Sequence, residues 1–350
     1  MPTLRRTIII IHPGSLGDVL LAVPAMVRVR TRFPDYRLAL CAEAQAAKLL
    51  YACGIVDTWT SIQGRDCADL FVGADSVTGQ VRTWLLDCDL AIGWTQGLDG
   101  TLSGTLKAFG VREVIVRSPF STEILAAHQR DRFLETINEV PSEDDGDALL
   151  KVTEPVLQLG RACLEAAGHS FGPSLVVIHP GSGSPHKCVA SETLLRVVIA
   201  VQRVGATPVI LEGPADREPV ERLLQSCPNP PIVLKNLDLL NVAGVLAQAQ
   251  LFVGQDSGIT HMAGLMGLHV VALFGPTDPA RWAPRGTHVA VMHGVSCLCR
   301  SWEEVSRCKG KPCLDLSTDE LVALCLVHLE NAAVHRRIPS GCLVTDYPVC

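Results

Sequence analysis

Asp256-Ser257-Gly258, with His261 three residues on, is the stretch of this chain best equipped for chemistry. It follows an apolar, strand-like run, Leu251 to Val253, and a tight loop over Gly254, Gln255 and Asp256. Ser is a preferred helix N-cap, and a helix N-terminus offers unpaired N–H groups to an anion. Gly258, Ile259, Thr260 and His261 fill the first turns, and the small residues among them allow a ligand to approach the backbone. The helix is predicted to run to about Met266, with Gly267 as its stop. His269 to Phe274 then form a second buried strand, closed by Gly275-Pro276-Thr277-Asp278. Such strand–helix–strand units build parallel sheets. An ordinary crossover helix capped by Ser reads the same locally; His261 and the closing tetrapeptide favour a phosphate site.

Other segments carry matching chemistry. His-Pro-Gly-Ser occurs twice, at 12–15 and 179–182, each time after a β-branched run. That predicts two similar sheets with a loop at the carboxyl end of each first strand, where open parallel sheets bind ligands. In the second copy, Gly181 and Ser182 lead to Lys187, a glycine loop and a cation of the kind that hold phosphate oxygens. Glu212 and Asp216 follow another strand and can accept from ribose hydroxyls; exposed surface acids fit them equally well. In the first copy, Asp18 lies beyond Gly14 and Gly17, where strand turns to helix. A carboxylate there serves as a helix cap or as a general base. No P-loop is present and no G-x-G-x-x-G follows a strand, which excludes the common NTPase and leaves a nicotinamide dehydrogenase unsupported.

The chain has 350 residues, 48% of them hydrophobic and 19% charged, with a net charge of −6. Two α/β domains are expected, and neither disorder nor general affinity for nucleic acid. The predicted division is residues 1–170, residues 171–330 and an irregular tail over 331–350. Pro141 to Asp147 is an acidic surface loop. Arg28, Arg30, Arg32 and Arg37, with Arg5 and Arg6, form a local basic patch or a solvated face. No apolar run reaches the roughly 18–20 residues of a membrane span, and the first residues lack a signal-peptide core, so a cytoplasmic protein is expected. Most of the fourteen cysteines are scattered among apolar residues and read as reduced thiols. Cys297, Cys299, Cys308 and Cys313 cluster, but their spacing is not that of a zinc ribbon; reduced thiols or one disulfide are the favoured readings.

The ordered set Ser15-Leu16-Gly17-Asp18, His179-Pro180-Gly181-Ser182, Lys187, Asp256-Ser257-Gly258 with His261, and Ala272 to Asp278 with Trp282 resembles glycosyltransferase family nine, the lipopolysaccharide heptosyltransferases. The resemblance implies a GT-B architecture, two doubly wound Rossmann-like domains facing across a cleft. It implies an inverting transfer without a bound metal or cofactor. The donor would be a nucleotide-diphosphate sugar, ADP-heptose above all. It would be held by Gly181, Ser182, Lys187, Glu212, Asp216, Asp256 and the Ser257–His261 helix start. The acceptor would be an anionic glycolipid or oligosaccharide, bound near Ser15, Gly17, Arg28 and Arg30, with peripheral contact at the inner face of the cytoplasmic membrane. Asp18 would be the base. After Lys187 this chain has Cys188-Val189-Ala190, where the family usually has an aromatic-proline pair. A nucleotide-sugar epimerase and a non-catalytic nucleotide-sugar-binding protein are the alternatives.

Overall fold

The computed structural model describes residues 6–95, 100–118, 127–142 and 149–337. Arg5, residues 338–350 of the expected tail and most of the acidic run, residues 143–147, lie outside the described residues.

Eleven strands fall into two sheets among these residues. The first contains β1 (Thr7–Ile11), β2 (Arg37–Ala42), β3 (Thr58–Ser61), β4 (Cys88–Trp94) and β5 (Glu113–Arg117), in the order β3-β2-β1-β4-β5. The second contains β6 (Leu175–His179), β7 (Thr207–Glu212), β8 (Ile232–Lys235), β9 (Leu251–Gln255), β10 (His269–Phe274) and β11 (Val289–His293), in the order β11-β10-β9-β6-β7-β8. Every pairing is parallel. Parallel strands are covered on both faces, so they read as unbroken apolar runs. Ile8, Ile9, Ile10 and Ile11 of β1 are at most 1% exposed. Each such side chain contributes about 1.5–3 kcal/mol of burial.

One core is shared between the halves. It joins Ile8 and Ile10 of β1 to Val177 of β6, Phe252 of β9 and the helix residues Leu20 and Met262. The outer face of each sheet has its own separate cluster. Further ties link the halves directly: Leu150 N–H donates to Leu265 O, His128 Nε2 contacts Ala283 O at 2.8 Å, and Arg285 pairs with Asp131 at 3.2 Å. Two local expectations change. Strand β9 continues through Gly254 and Gln255, because both pair with neighbouring strands, and the turn begins only at Asp256. The last helix, Thr318–Arg337, carries residues 331–337, which were expected to be irregular.

In each sheet the order of strand addition reverses beside its first strand, between β1 and β4 and between β6 and β9. Loops leaving the carboxyl ends of strands at such a reversal splay apart and open a crevice. The two His-Pro-Gly-Ser loops follow β1 and β6, so both lie at these crevices.

Candidate active site

In the first half, Ser15 precedes a short helix, Leu16–Leu21, in which Asp18 is the third residue. The Asp18 carboxylate accepts from Ser15 N–H at 3.0 Å and from the Ser15 hydroxyl at 2.8 Å, both on Oδ2. The cap reading of Asp18 is therefore realised, and the same carboxylate lines the cleft between the halves. Behind it, His12 Nδ1 accepts from Gly14 N–H at 3.1 Å, and its ring packs against Trp94 and Phe133. Burial pushes the His12 imidazole down to about 4, so a neutral ring props the loop.

In the second half, Ser184 caps the single turn Pro185–Lys187 and aims Lys187 back at β9. Lys187 Nζ lies 2.7 Å from Asp256 Oδ2 and 5.5 Å from the centre of the Trp302 ring. The Ser182 hydroxyl donates to Asp256 O at 2.5 Å, which ties the loops after β6 and β9 together. Ser257 caps the helix Gly258–Leu265, its hydroxyl accepting from Thr260 N–H. His261, in the first turns, is 5% exposed. Burial pushes its imidazole below the ordinary value, while the carboxylates of Asp256 and Asp18 pull the other way. The charges of both halves thus act on one ring.

These groups enclose a cleft of about 350 Å³. It gathers Ser15, Gly17, Asp18, Ser182, Lys187, Asp256, Ser257, Gly258 and His261. Leu21, Gly183, Thr277, Trp282 and Trp302 complete the wall; Gly183 belongs to the Gly181–Ser184 loop expected to meet an anion, whereas Leu21 and Trp302 were not singled out from the sequence. Trp302, 54% exposed, opens the short helix Trp302–Arg307 in the cysteine-rich segment, and nothing in its local sequence points to a donor lysine 115 positions earlier. A hollow of about 410 Å³ at the amino end of the second sheet, lined by Leu150, Gln250, His269 and His288, shares no residue with this cleft.

Several expected contacts lie elsewhere. Glu212 is buried and paired with Lys235 at 3.1 Å. Asp216 is buried against His179, its Oδ2 2.9 Å from Nε2, and also accepts from Gly213 N–H. Gly181 makes room for that carboxylate: a Cβ there would lie 1.6 Å from Asp216 Oδ1. Ile259 and Thr260 belong to the capping helix but do not line the cleft, and Thr260 donates to Gln255 O. Arg28 and Arg30 lie on the helix Val23–Arg32, outside the cleft lining. Arg30 is spent on Asp57 at 2.8 Å and Ile55 O at 3.0 Å, and Arg32 approaches Glu139 at 3.8 Å, so the basic patch is divided among separate acids. Cys297, Cys299, Cys308 and Cys313 are free thiols, and burial with the neighbouring Cys297 and Cys308 raises Cys299 to about 11. Among the described residues no three His, Cys, Asp or Glu are arranged to hold a metal ion.

Two doubly wound parallel sheets meeting across such a cleft give the chain a fold of the GT-B type, shared with solved family 9 structures. The family model for glycosyltransferase family 9 (heptosyltransferase) matches residues 126–311, more than half of the chain, and the protein belongs to that family. Two curated relatives are both lipopolysaccharide heptosyltransferase 3. The one from Escherichia coli is 29% identical over 145 residues, 39% of this chain and 43% of that protein. The one from Escherichia coli strain K12 is 24% identical over 285 residues, 77% of this chain and 82% of that protein. Among solved structures, a glycosyl transferase family 9 protein of Veillonella parvula superposes with a TM-score of 0.74 at 19% identity, over 93% of this chain and 97% of that one. The E. coli heptosyltransferase WaaC, solved with ADP, superposes with a TM-score of 0.57 at 16% identity, over 81% of this chain and 92% of that one.

Proposed function

We propose that the protein is an inverting, metal-independent heptosyltransferase that moves heptose from ADP-heptose onto an anionic, lipopolysaccharide-core-like acceptor. The observation that carries this reading is the meeting in one cleft of Asp18, from the first half, with Lys187 and the Gly258–Leu265 helix start, from the second. In this reading residues 171–330 hold the donor and residues 1–170 the acceptor, and the work is done in the cytoplasm, at the inner face of the membrane. Among the described residues no helix is long and apolar enough to cross a membrane. The ADP complex of WaaC supports ADP as the nucleotide.

The chemistry follows from the charges. Asp18 takes the proton of an acceptor hydroxyl, whose oxygen attacks the anomeric carbon of the sugar. The bond from that carbon to the diphosphate breaks, and the electron pair leaves with the diphosphate. Lys187 and the free N–H groups ahead of the Gly258–Leu265 helix receive the new charge, which removes the need for a metal ion. Base and leaving group come from opposite walls of the cleft, the arrangement an inverting displacement requires.

The test is an assay with ADP-heptose and a heptose-deficient, deacylated lipopolysaccharide core in the presence of EDTA. Acceptor-dependent ADP release and an inverted anomeric centre in the product, read by NMR, are expected. Retention of configuration, or activity lost in EDTA and restored by magnesium or manganese, overturns the mechanism. ADP released at the same rate without acceptor overturns the transferase reading.

A further inference from the structure

Ser257, His179 and Asp216 form a hydrogen-bonded chain running from the cleft into the second half. Ser257 Oγ lies 3.3 Å from His179 Nδ1, and His179 Nε2 lies 2.9 Å from Asp216 Oδ2. His179 is 7% exposed and Asp216 4%, whereas Ser257 lines the cleft. Gly181, as the cleft geometry shows, is the residue that lets Asp216 reach the ring.

Proton counting limits what this chain can do. Burial disfavours the charge on Asp216, but the His179 contact and Gly213 N–H outweigh it and hold the carboxyl below its ordinary value. A carboxylate only accepts, so the Nε2 proton points at Asp216. Thr260 spends its hydroxyl proton on Gln255 O, so it offers only lone pairs to Ser257 at 3.1 Å. With neutral His179, Nδ1 is bare and takes the Ser257 proton; Ser257 then shows only lone pairs to the cleft. With a second proton on His179, Nδ1–H donates to Ser257, and the Ser257 proton is free to turn outward.

We propose that binding of the anionic donor draws one proton from solvent onto His179 Nδ1, which turns the Ser257 hydroxyl from the imidazole to a diphosphate oxygen. Asp216 supplies the counter-charge and so acts through His179 rather than on the ribose. The inference rests on the donor reading above. Other charged or titratable groups on the surrounding elements are Glu212 with Lys235, Cys188, the Lys187–Asp256 pair and His261. The complex holds more protons than the free protein, so affinity rises as pH falls.

Titration calorimetry of ADP-heptose at pH 7.5, in two buffers of different ionisation enthalpy, counts the protons. The ligand's diphosphate is a diester and does not itself titrate there. A net uptake of up to about one proton per ligand is expected. His179→Asn should abolish the uptake, weaken binding roughly tenfold and flatten the pH dependence of Kd. Ser257→Ala should diminish the uptake with the imidazole still in place. Binding to the wild-type protein without proton uptake overturns the proposal and leaves the donor reading standing. Uptake unchanged in His179→Asn overturns it too, by placing the proton elsewhere. Absence of binding to the wild-type protein overturns the donor reading and this proposal together.

Discussion

Gly17 and Gly258 face each other where a helix of the first half crosses the start of a helix of the second. A Cβ on Gly17 would lie 3.7 Å from the Cα of Gly258, and a Cβ on Gly258 would lie 2.7 Å from side-chain atoms of Leu16. Two glycines at the crossing let the backbones approach, so Asp18 and the capped helix start flank the same cleft. The crossing sets the span between the proposed base and the proposed leaving group.

Gly258→Ala should widen that crossing. Overpacking of this kind costs about 1–3 kcal/mol, and the obstructing atoms belong to the Leu16 side chain. Turnover should fall more than donor affinity, and Leu16→Ala in the same chain should restore part of it. Stability by urea unfolding and single-turnover rates check this; a double variant no better than the single one would contradict it.

Lys187→Ala should weaken ADP-heptose binding by about 10- to 150-fold, the worth of a charged hydrogen bond of about 1.5–3 kcal/mol. Loss of Lys187 also leaves the Asp256 side chain, 7% exposed, as an unpaired carboxylate beside the incoming diphosphate. Asp256→Asn added to Lys187→Ala should therefore recover part of the affinity. Calorimetry on both variants decides; equal donor affinity in Lys187→Ala and the wild type would remove Lys187 from the donor site.

Asp18→Asn keeps the side chain's shape and leaves an oxygen to accept from Ser15 N–H, now bonded at 3.0 Å. It removes the base. Turnover should drop about 10²–10⁴-fold with donor binding retained. Near-normal turnover would leave Asp18 as a helix cap only.

Acid should weaken the tie between the halves. His128 Nδ1 accepts from Arg130 N–H, and Nε2 meets Ala283 O, so the neutral ring is fully used. Burial pushes its imidazole from the ordinary 6.5 down to about 4. The unfolded chain therefore takes up a proton near pH 6.5 that the folded chain refuses until near pH 4. The contribution to stability is complete above about pH 6.5 and is lost as pH falls towards 4, by roughly 3 kcal/mol at most. His12, also lowered to about 4, adds a loss of the same sign. His128→Gln keeps a donor for Ala283 O and should flatten this part of the profile in urea unfolding between pH 7 and 4.5. An unchanged slope would show that His128 does not titrate as its burial requires.

The β-branched runs, the turn residues and the Ser257 cap are decided by near neighbours in the chain. The strands they predict, the two parallel sheets and the capped Gly258–Leu265 helix were accordingly legible in the sequence. So was the stretch of chain that would carry each half of the site, because loops at the carboxyl ends of parallel strands must lie at the sheet edge. Which side chains meet was not legible. Lys187 read as a lone cation and is paired with Asp256, 69 positions away. Asp216 read as a nucleoside contact and turns inward to His179, through space that Gly181 leaves open. Arg30 read as an acceptor contact and lies against Asp57, and Trp302 reaches the cleft from the start of a short helix in a segment marked only by its cysteines. Each of these pairs joins separate loops or helices. The direction a side chain takes there depends on sheet twist, loop path and the distance between packed helices, quantities that exist only once the chain has closed on itself.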